Sequence, residues 1–234
     1  MKIALLICDE VNKNLQNIQG DYPDMFKELF PSLHFDVFNV FKGQFPPNAH
    51  EYEAYLVNGS RHSVYEDVDW IIHLKEFVEE IYKAKKKYVG VCFGHQLLAE
   101  ALGGQVARAT TGWSVGVHQF EITQKENWMS PFQSRVNLLM MCQDQVKVLP
   151  PQSEILAKTP LCPVGMFTVC GHMLGIQAHP EFSKSYDRAL MELRIARMGT
   201  EVVNTGIESL EKPVDREIVA EWILQFLNYP FPSI

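Results

Sequence analysis

The sequence predicts an α/β fold of three layers. A mostly parallel central sheet is flanked by helices, with an added β-rich section and C-terminal helices. Three observations carry this expectation. Short apolar runs at 3–8, 55–57 and 88–91 alternate with stretches of helical spacing, the pattern of strand–helix–strand units. The turns closing the last two runs hold Gly59 and Cys92, at the strand carboxyl ends where parallel sheets place their sites. Beyond Gly104 the apolar spacing becomes alternating, which marks a β-rich section.

The elements follow in order. Residues 3–8 form an apolar first strand ending at Asp9-Glu10. Met25, Phe26, Leu29 and Phe30 give residues 24–30 the spacing of a helix. Phe35, Val37 and Val40 suggest a second strand over 35–41, and Gly43 with two prolines makes 41–51 a loop. The third strand ends in Asn58-Gly59. Ser63 and Glu66 have capping-box spacing, so a long helix is expected from there to about Lys87. Ile71, Leu74, Val78 and Ile81 form its buried stripe. Lys83, Lys85, Lys86 and Lys87 read as its solvated end, where positive charge opposes the dipole.

Tyr88, Val89 and Val91 suit a buried parallel strand. Leu97, Leu98, Ala101 and Leu102 form the stripe of a following helix, stopped by Gly103-Gly104. Strands are then expected at 115–122, 136–141, 167–169 and 173–178, with a turn region at 127–134. Two helices close the chain, at 185–198 and 214–227; Val219, Trp222, Ile223 and Phe226 face the core in the second. The whole, 1–234, is expected to be one domain, with a core over 1–182 and a helical extension over 183–234. That extension is too short for a nucleotide-activating domain.

Composition narrows the function. The chain has 234 residues, 47% of them hydrophobic, enough for a sizeable core. A net charge of −7 argues against a nucleic-acid surface. No apolar run reaches membrane-spanning length and no signal peptide is visible. The five cysteines (8, 92, 142, 162 and 170) are odd in number and lack CxxC spacing, which suits free thiols in a reducing, cytoplasmic setting. No zinc spacing occurs, Cys170 and His172 read as packing, and no phosphate-cradling Gly-rich loop with Lys-Ser/Thr is present. Neither metal nor cofactor is expected.

The chemistry concentrates in two motifs. Gly90-Val-Cys-Phe-Gly94 is the cysteine form of the turn that lifts a nucleophile above an α/β sheet. Its glycines let backbone pass close, and Cys92 falls at a helix N-terminus, where the dipole favours negative charge. A lone cysteine here would read as a small buried residue; the flanking glycines favour a nucleophile. Such a nucleophile needs a base, and the base an orienting group. His179-Pro-Glu181 offers both: in extended chain, side chains two apart point to one side, and Pro180 holds the backbone extended. Cys92, His179 and Glu181 are therefore the candidate catalytic residues.

Gly90-Val-Cys-Phe-Gly-His-Gln96 together with His179-Pro-Glu181 resembles the class I glutamine amidotransferases, in a stand-alone form similar to the glutaminase domain of GMP synthase. The resemblance runs from the first strand to about Phe182 and implies a flavodoxin-like sheet. It implies that the Gly59 and Phe93 amides form the oxyanion hole, and that Gln96 contacts the amino-acid end of the substrate. It also sets residues 113–115 beside the substrate's carboxylate and amine. Two departures stand out: Asn58-Gly-Ser60 lacks the proline that many members have, and Gln143 stands where members often carry a histidine. His95 is expected to be structural and His62 to sit at a pocket rim.

Three functions follow. One is a glutaminase or amidotransferase that forms a γ-glutamyl thioester and passes ammonia to an acceptor or a separate synthetase partner. The second is hydrolysis of γ-glutamyl peptides by the same residues. The third is a non-catalytic binding module. A small-molecule substrate is expected, without nucleic-acid or membrane partners, and a homodimer is left open.

Overall fold

Apolar residues of the first strand alternate between two covering layers, and this organises the molecule. The computed structural model describes residues 1–230; the last four positions of the expected extension lie outside the described residues. The first half contains β1 (Ile3–Ile7), α1 (Gln16–Gln19), α2 (Tyr22–Leu29), β2 (Phe35–Asn39), β3 (Ala54–Val57), α3 (Asp69–Lys83), β4 (Lys87–Val91) and α4 (Phe93–Ala101). The β-rich section contains β5 (Gln105–Arg108), β6 (Ser114–Ile122), β7 (Arg135–Cys142), β8 (Asp144–Val148), β9 (Ser153–Lys158), β10 (Met166–Val169) and β11 (Met173–Ile176). The chain closes with α5 (Lys184–Leu193), α6 (Ile195–Met198), α7 (Thr200–Ser209) and α8 (Arg216–Asn228).

Among the described residues nine strands form one sheet, in the order β2-β1-β3-β4-β11-β10-β9-β6-β7. β2, β1, β3, β4 and β11 are mutually parallel, whereas β11 through β7 pair antiparallel. β5 and β8 form a separate antiparallel pair. The mostly parallel α/β expectation, with its added β-rich section, is thus borne out. β1, β3 and β4 are buried along their whole length, as strands covered on both faces must be. Leu5, Leu56 and Val89 pack with Phe26, Leu190 and Trp222 on one face; Leu6, Tyr55 and Tyr88 pack with Leu74, Val78 and Leu97 on the other. No helix among the described residues is long and apolar enough to cross a membrane.

The C-terminal helices share the first of these cores. Trp222 is 1% exposed and donates its indole N–H to the Pro131 carbonyl at 2.9 Å. Truncation to alanine removes that burial and strands the carbonyl. We expect Trp222→Ala to cost about 3–5 kcal/mol, read from urea unfolding; a loss below about 1 kcal/mol would show that α8 contributes little to the core.

The structure corrects several local expectations. The long helix begins at Asp69, because Val68 is extended (φ −126°, ψ 129°). Ser63 and Glu66 make only half a capping box: Glu66 accepts from the Ser63 amide at 2.7 Å, but the Ser63 hydroxyl donates to Asp144 instead. Lys87 is no solvated helix end. It opens β4, is 4% exposed, and holds its ammonium 4.4 Å above the Phe226 ring; burial lowers its pKa to about 8. The second strand stops at Asn39, where a 3₁₀ turn over Val40–Lys42 takes over. The helix expected over 185–198 is broken at Arg194, and α7 follows a restart at Gly199 (φ 91°).

Candidate active site

Loops at the carboxyl ends of three adjacent strands, β3, β4 and β11, meet at one point. β4 delivers Cys92 into a strained bend (φ 50°, ψ −96°) that leads directly into α4. A positive φ on a non-glycine residue costs of order 1–3 kcal/mol and persists only where its surroundings enforce it. Here the Cys92 amide donates to the Ile176 carbonyl at 2.8 Å, and its own carbonyl accepts from the Gln96 amide at 3.0 Å. The flanking glycines are required by space. A Cβ on Gly90 would lie 2.3 Å from the Gly94 carbonyl, and one on Gly94 would lie 2.5 Å from the Val57 oxygen.

β11 ends at Ile176, so His179 and Glu181 sit in the turn beyond it rather than within an extended strand. Their contact comes from that turn: Nδ1 of His179 donates to Oε1 of Glu181 at 2.7 Å. The His179 amide is tied to the Leu139 carbonyl at 2.8 Å, and its ring stacks on Phe182 at 4.0 Å. Both side chains are buried, Glu181 completely. The other side of the ring faces the Cys92 side chain, whose sulfur interacts with it. Gly59, just beyond the end of β3, touches both candidates. A Cβ there would lie 2.9 Å from Cε1 of His179 and 3.7 Å from Cβ of Cys92.

Electrostatics link the same groups. Burial pulls the His179 pKa down, but the Glu181 carboxylate and the Cys92 sulfur beside it outweigh that and raise it to about 10. The protonated imidazole therefore gains stability on folding that is fully present below its ordinary 6.5 and is lost as pH rises through about 10. Glu181→Gln removes the carboxylate that contributes most to this. Its unfolding penalty is expected to be largest at or just below pH 6.5 and to shrink towards pH 10, read as Tm across pH. A penalty independent of pH would detach Glu181 from the imidazole's protonation.

The other candidates surround this centre. The Gly59 and Phe93 amides make no hydrogen bond among the described residues, Phe93 being the first residue of α4. Gln96 commits its amide nitrogen to the Asp144 carbonyl at 2.8 Å and to the Gln177 side chain at 3.1 Å, while its side chain lines a cavity shared with Cys92. Trp113 and Gln143 line the same cavity. His62 stands at its rim, paired with Glu66 at 2.7 Å. His95 is fully buried against Phe167, and burial holds its pKa at about 4. Among the described residues no group of His, Cys, Asp or Glu is placed to hold a metal ion.

Sequence reasoning missed Asp187 and the arginines Arg108, Arg194 and Arg197. Asp187 is 0% exposed, and neither carboxyl oxygen has a hydrogen-bond partner among the described residues. Burial pushes its pKa up to about 7, near enough to His179 and Glu181 for their charges to act on it. The available signal was a carboxyl on the apolar stripe of Tyr186, Leu190 and Met191. The three arginines line the cavity from β5, from the α5–α6 junction and from α6. Their positions depend on chain folding that no local pattern encodes.

Comparison with known proteins places the chain among relatives. A family model described as glutamine amidotransferase class-I matches residues 39–196. Gamma-glutamyl peptidase 3 of Arabidopsis thaliana is 32% identical over 192 residues, spanning 78% of this chain and 76% of the relative. A glutamine-hydrolyzing GMP synthase subunit of Methanobrevibacter smithii is 37% identical over 94 residues, covering 40% of this chain and 49% of the relative. A crystal structure of a glutamine amidotransferase from Thermotoga maritima superposes with a TM-score of 0.75 at 21% identity, covering 97% of this chain and 96% of that one. That likeness is one of fold, and it agrees with the flavodoxin-like, mostly parallel sheet.

Proposed function

The chain belongs to the class-I glutamine amidotransferase family, and on that footing we propose that it hydrolyses γ-glutamyl amide bonds through a thioester on Cys92. The observation that carries this reading is the convergence of Cys92, the His179–Glu181 pair and Gly59 at neighbouring strand ends. In the proposed reaction the Cys92 thiolate attacks the γ-carbonyl carbon. The oxyanion accepts hydrogen bonds from the Gly59 and Phe93 amides, two donors with no competing partner among the described residues. Nε2 of His179 passes its proton to the departing nitrogen as the C–N bond breaks, leaving a γ-glutamyl thioester. The same nitrogen then takes a proton from water, whose oxygen attacks the thioester. Cleavage of the C–S bond releases glutamate and restores the thiolate. Glu181 holds Nδ1–H, so the imidazole keeps its orientation through both halves. Gln96 has its side-chain oxygen left to meet the amino-acid end of the substrate.

The γ-glutamyl peptide is the preferred substrate class because relatives that align with most of this chain bear the name gamma-glutamyl peptidase. A second reading, in which ammonia from glutamine serves a separate synthetase partner, draws on the likeness to the GMP synthase subunit. Both use the same residues, and free thiols suit a reducing, cytoplasmic setting. Glutamate release from glutamine and from γ-glutamyl dipeptides separates them. Faster turnover of dipeptides supports the first reading, turnover of glutamine alone overturns it, and silence on both leaves a binding module.

A further inference from the structure

The cavity holding Cys92 carries more positive charge than its own acids balance. Four arginines line it. Arg61 is occupied, with its guanidinium on Asp9 at 2.7 Å. Arg108, Arg194 and Arg197 take part in no ion pair among the described residues. Among the described residues Asp144 is the one carboxylate in the lining, and it already accepts from the Ser63 and Tyr65 hydroxyls. Glu66 feels the charge of Arg197 but is held by the His62 ring and the Ser63 amide, each at 2.7 Å. Arg197 is also steadied: its guanidinium lies 5.1 Å above the Trp113 ring, on the cavity wall. The chain as a whole carries a net charge of −7. Arg108 and Arg197 are exposed and Arg194 is half-buried, with the buried Asp187 within reach of its charge; three guanidinium groups without a paired carboxylate at one cavity make it attractive to an anion.

The two substrate classes differ in the anions they bring. Glutamine carries one carboxylate, on its α-carbon, and its amide departs as neutral ammonia. A γ-glutamyl peptide carries a second, on the amine that departs. We propose that Arg108, Arg194 and Arg197 form an anion subsite selecting γ-glutamyl peptides whose departing amine bears a free carboxylate. This rests on the γ-glutamyl hydrolase reading above and narrows its substrate class. No new bond-making step is involved: the peptide leaves as its amine with the carboxylate unchanged. Two of the three arginines belong to the stretch after residue 182, which gives that stretch a part in specificity.

The test compares γ-glutamyl-alanine with γ-glutamyl-alanine amide, substrates that differ in that one charge. A charge-assisted contact is worth about 1.5–3 kcal/mol, so kcat/KM for the acid should exceed that for the amide by about tenfold or more. In the double variant Arg194→Ala/Arg197→Ala the acid-to-amide ratio should fall to near one, and Arg197→Lys should give an intermediate ratio. Should the double variant misfold, the wild-type ratio and its decline with added salt still decide the matter. Equal turnover of acid and amide by the wild type, or a ratio that survives loss of both arginines, overturns the subsite alone. Failure to hydrolyse any γ-glutamyl peptide overturns the parent reading and this inference with it.

Discussion

Cys92→Ala is expected to abolish glutamate release, with a loss of at least about 10⁴-fold, while Tm moves by only a few degrees. The two expectations have separate origins. Alanine keeps the Cβ, and the bend at residue 92 is enforced by the bonds to Ile176 and from Gln96, neither of which involves the sulfur. In the proposed reaction it is the sulfur that forms the thioester, and among the described residues lining the cavity no other thiol is seen to interact with the His179 imidazole. Cys142 lines the same cavity, but burial raises its thiol pKa well above the ordinary value, which suppresses the reactive thiolate. His179→Ala should match the loss, and the double variant should be no worse, because the groups act as a unit. Glu181→Gln should cost about two orders of magnitude less than losing the nucleophile. Retention of a tenth of wild-type activity by Cys92→Ala would place the chemistry elsewhere.

A large effect on stability and activity together is expected from Gly90→Ala. Its methyl group would sit 2.3 Å from both the carbon and the oxygen of the Gly94 carbonyl, and 2.8 Å from the His95 amide. These are backbone atoms, so no rotamer change relieves the clash. The neighbouring backbone has little freedom to retreat. The Gly94 oxygen accepts from the buried Tyr88 hydroxyl at 2.8 Å, and a Cβ on Gly94 would itself lie 2.5 Å from Val57. Overpacking commonly costs about 1–3 kcal/mol, and a backbone collision with no exit should reach or exceed the top of that range. Activity should fall with it, since the same carbonyl begins the helix that positions Cys92. Denaturant unfolding and glutamate release measured on one preparation test this. A fully stable, fully active Gly90→Ala would remove the steric argument for the bend.

How much of this was legible in the sequence varies with how local each determinant is. The strand–bend–helix around Cys92 was legible because Gly90 and Gly94 are needed by contacts within a short, self-contained stretch and the strand beside it. The two central parallel strands β3 and β4 were legible because burial on both faces leaves a largely apolar run. The contact between His179 and Glu181 was anticipated, but a turn and not a strand brings it about. β5 and β9 went unseen because Gln105, Arg108, Ser153 and Glu154 are half-exposed or exposed, so no apolar alternation marks them. α7 was hidden for another reason: two adjacent valines and Gly206 weaken its helical signal. That glycine is there for packing, since a Cβ would meet Met191 at 2.5 Å and Val115 at 2.8 Å. Lys87 misled because a lysine beside other lysines reads as surface, whereas its position in β4 forces it under α8.

The most direct measurement of the central claim is mass spectrometry of the protein treated with an electrophilic glutamine analogue that alkylates a nucleophile at its γ-carbon. Of the five cysteines, Cys92 alone should carry the label. Labelling should be blocked by a γ-glutamyl dipeptide and nearly absent in His179→Ala. Label on Cys142, Cys162 or Cys170 in place of Cys92, or undiminished labelling without His179, would contradict it.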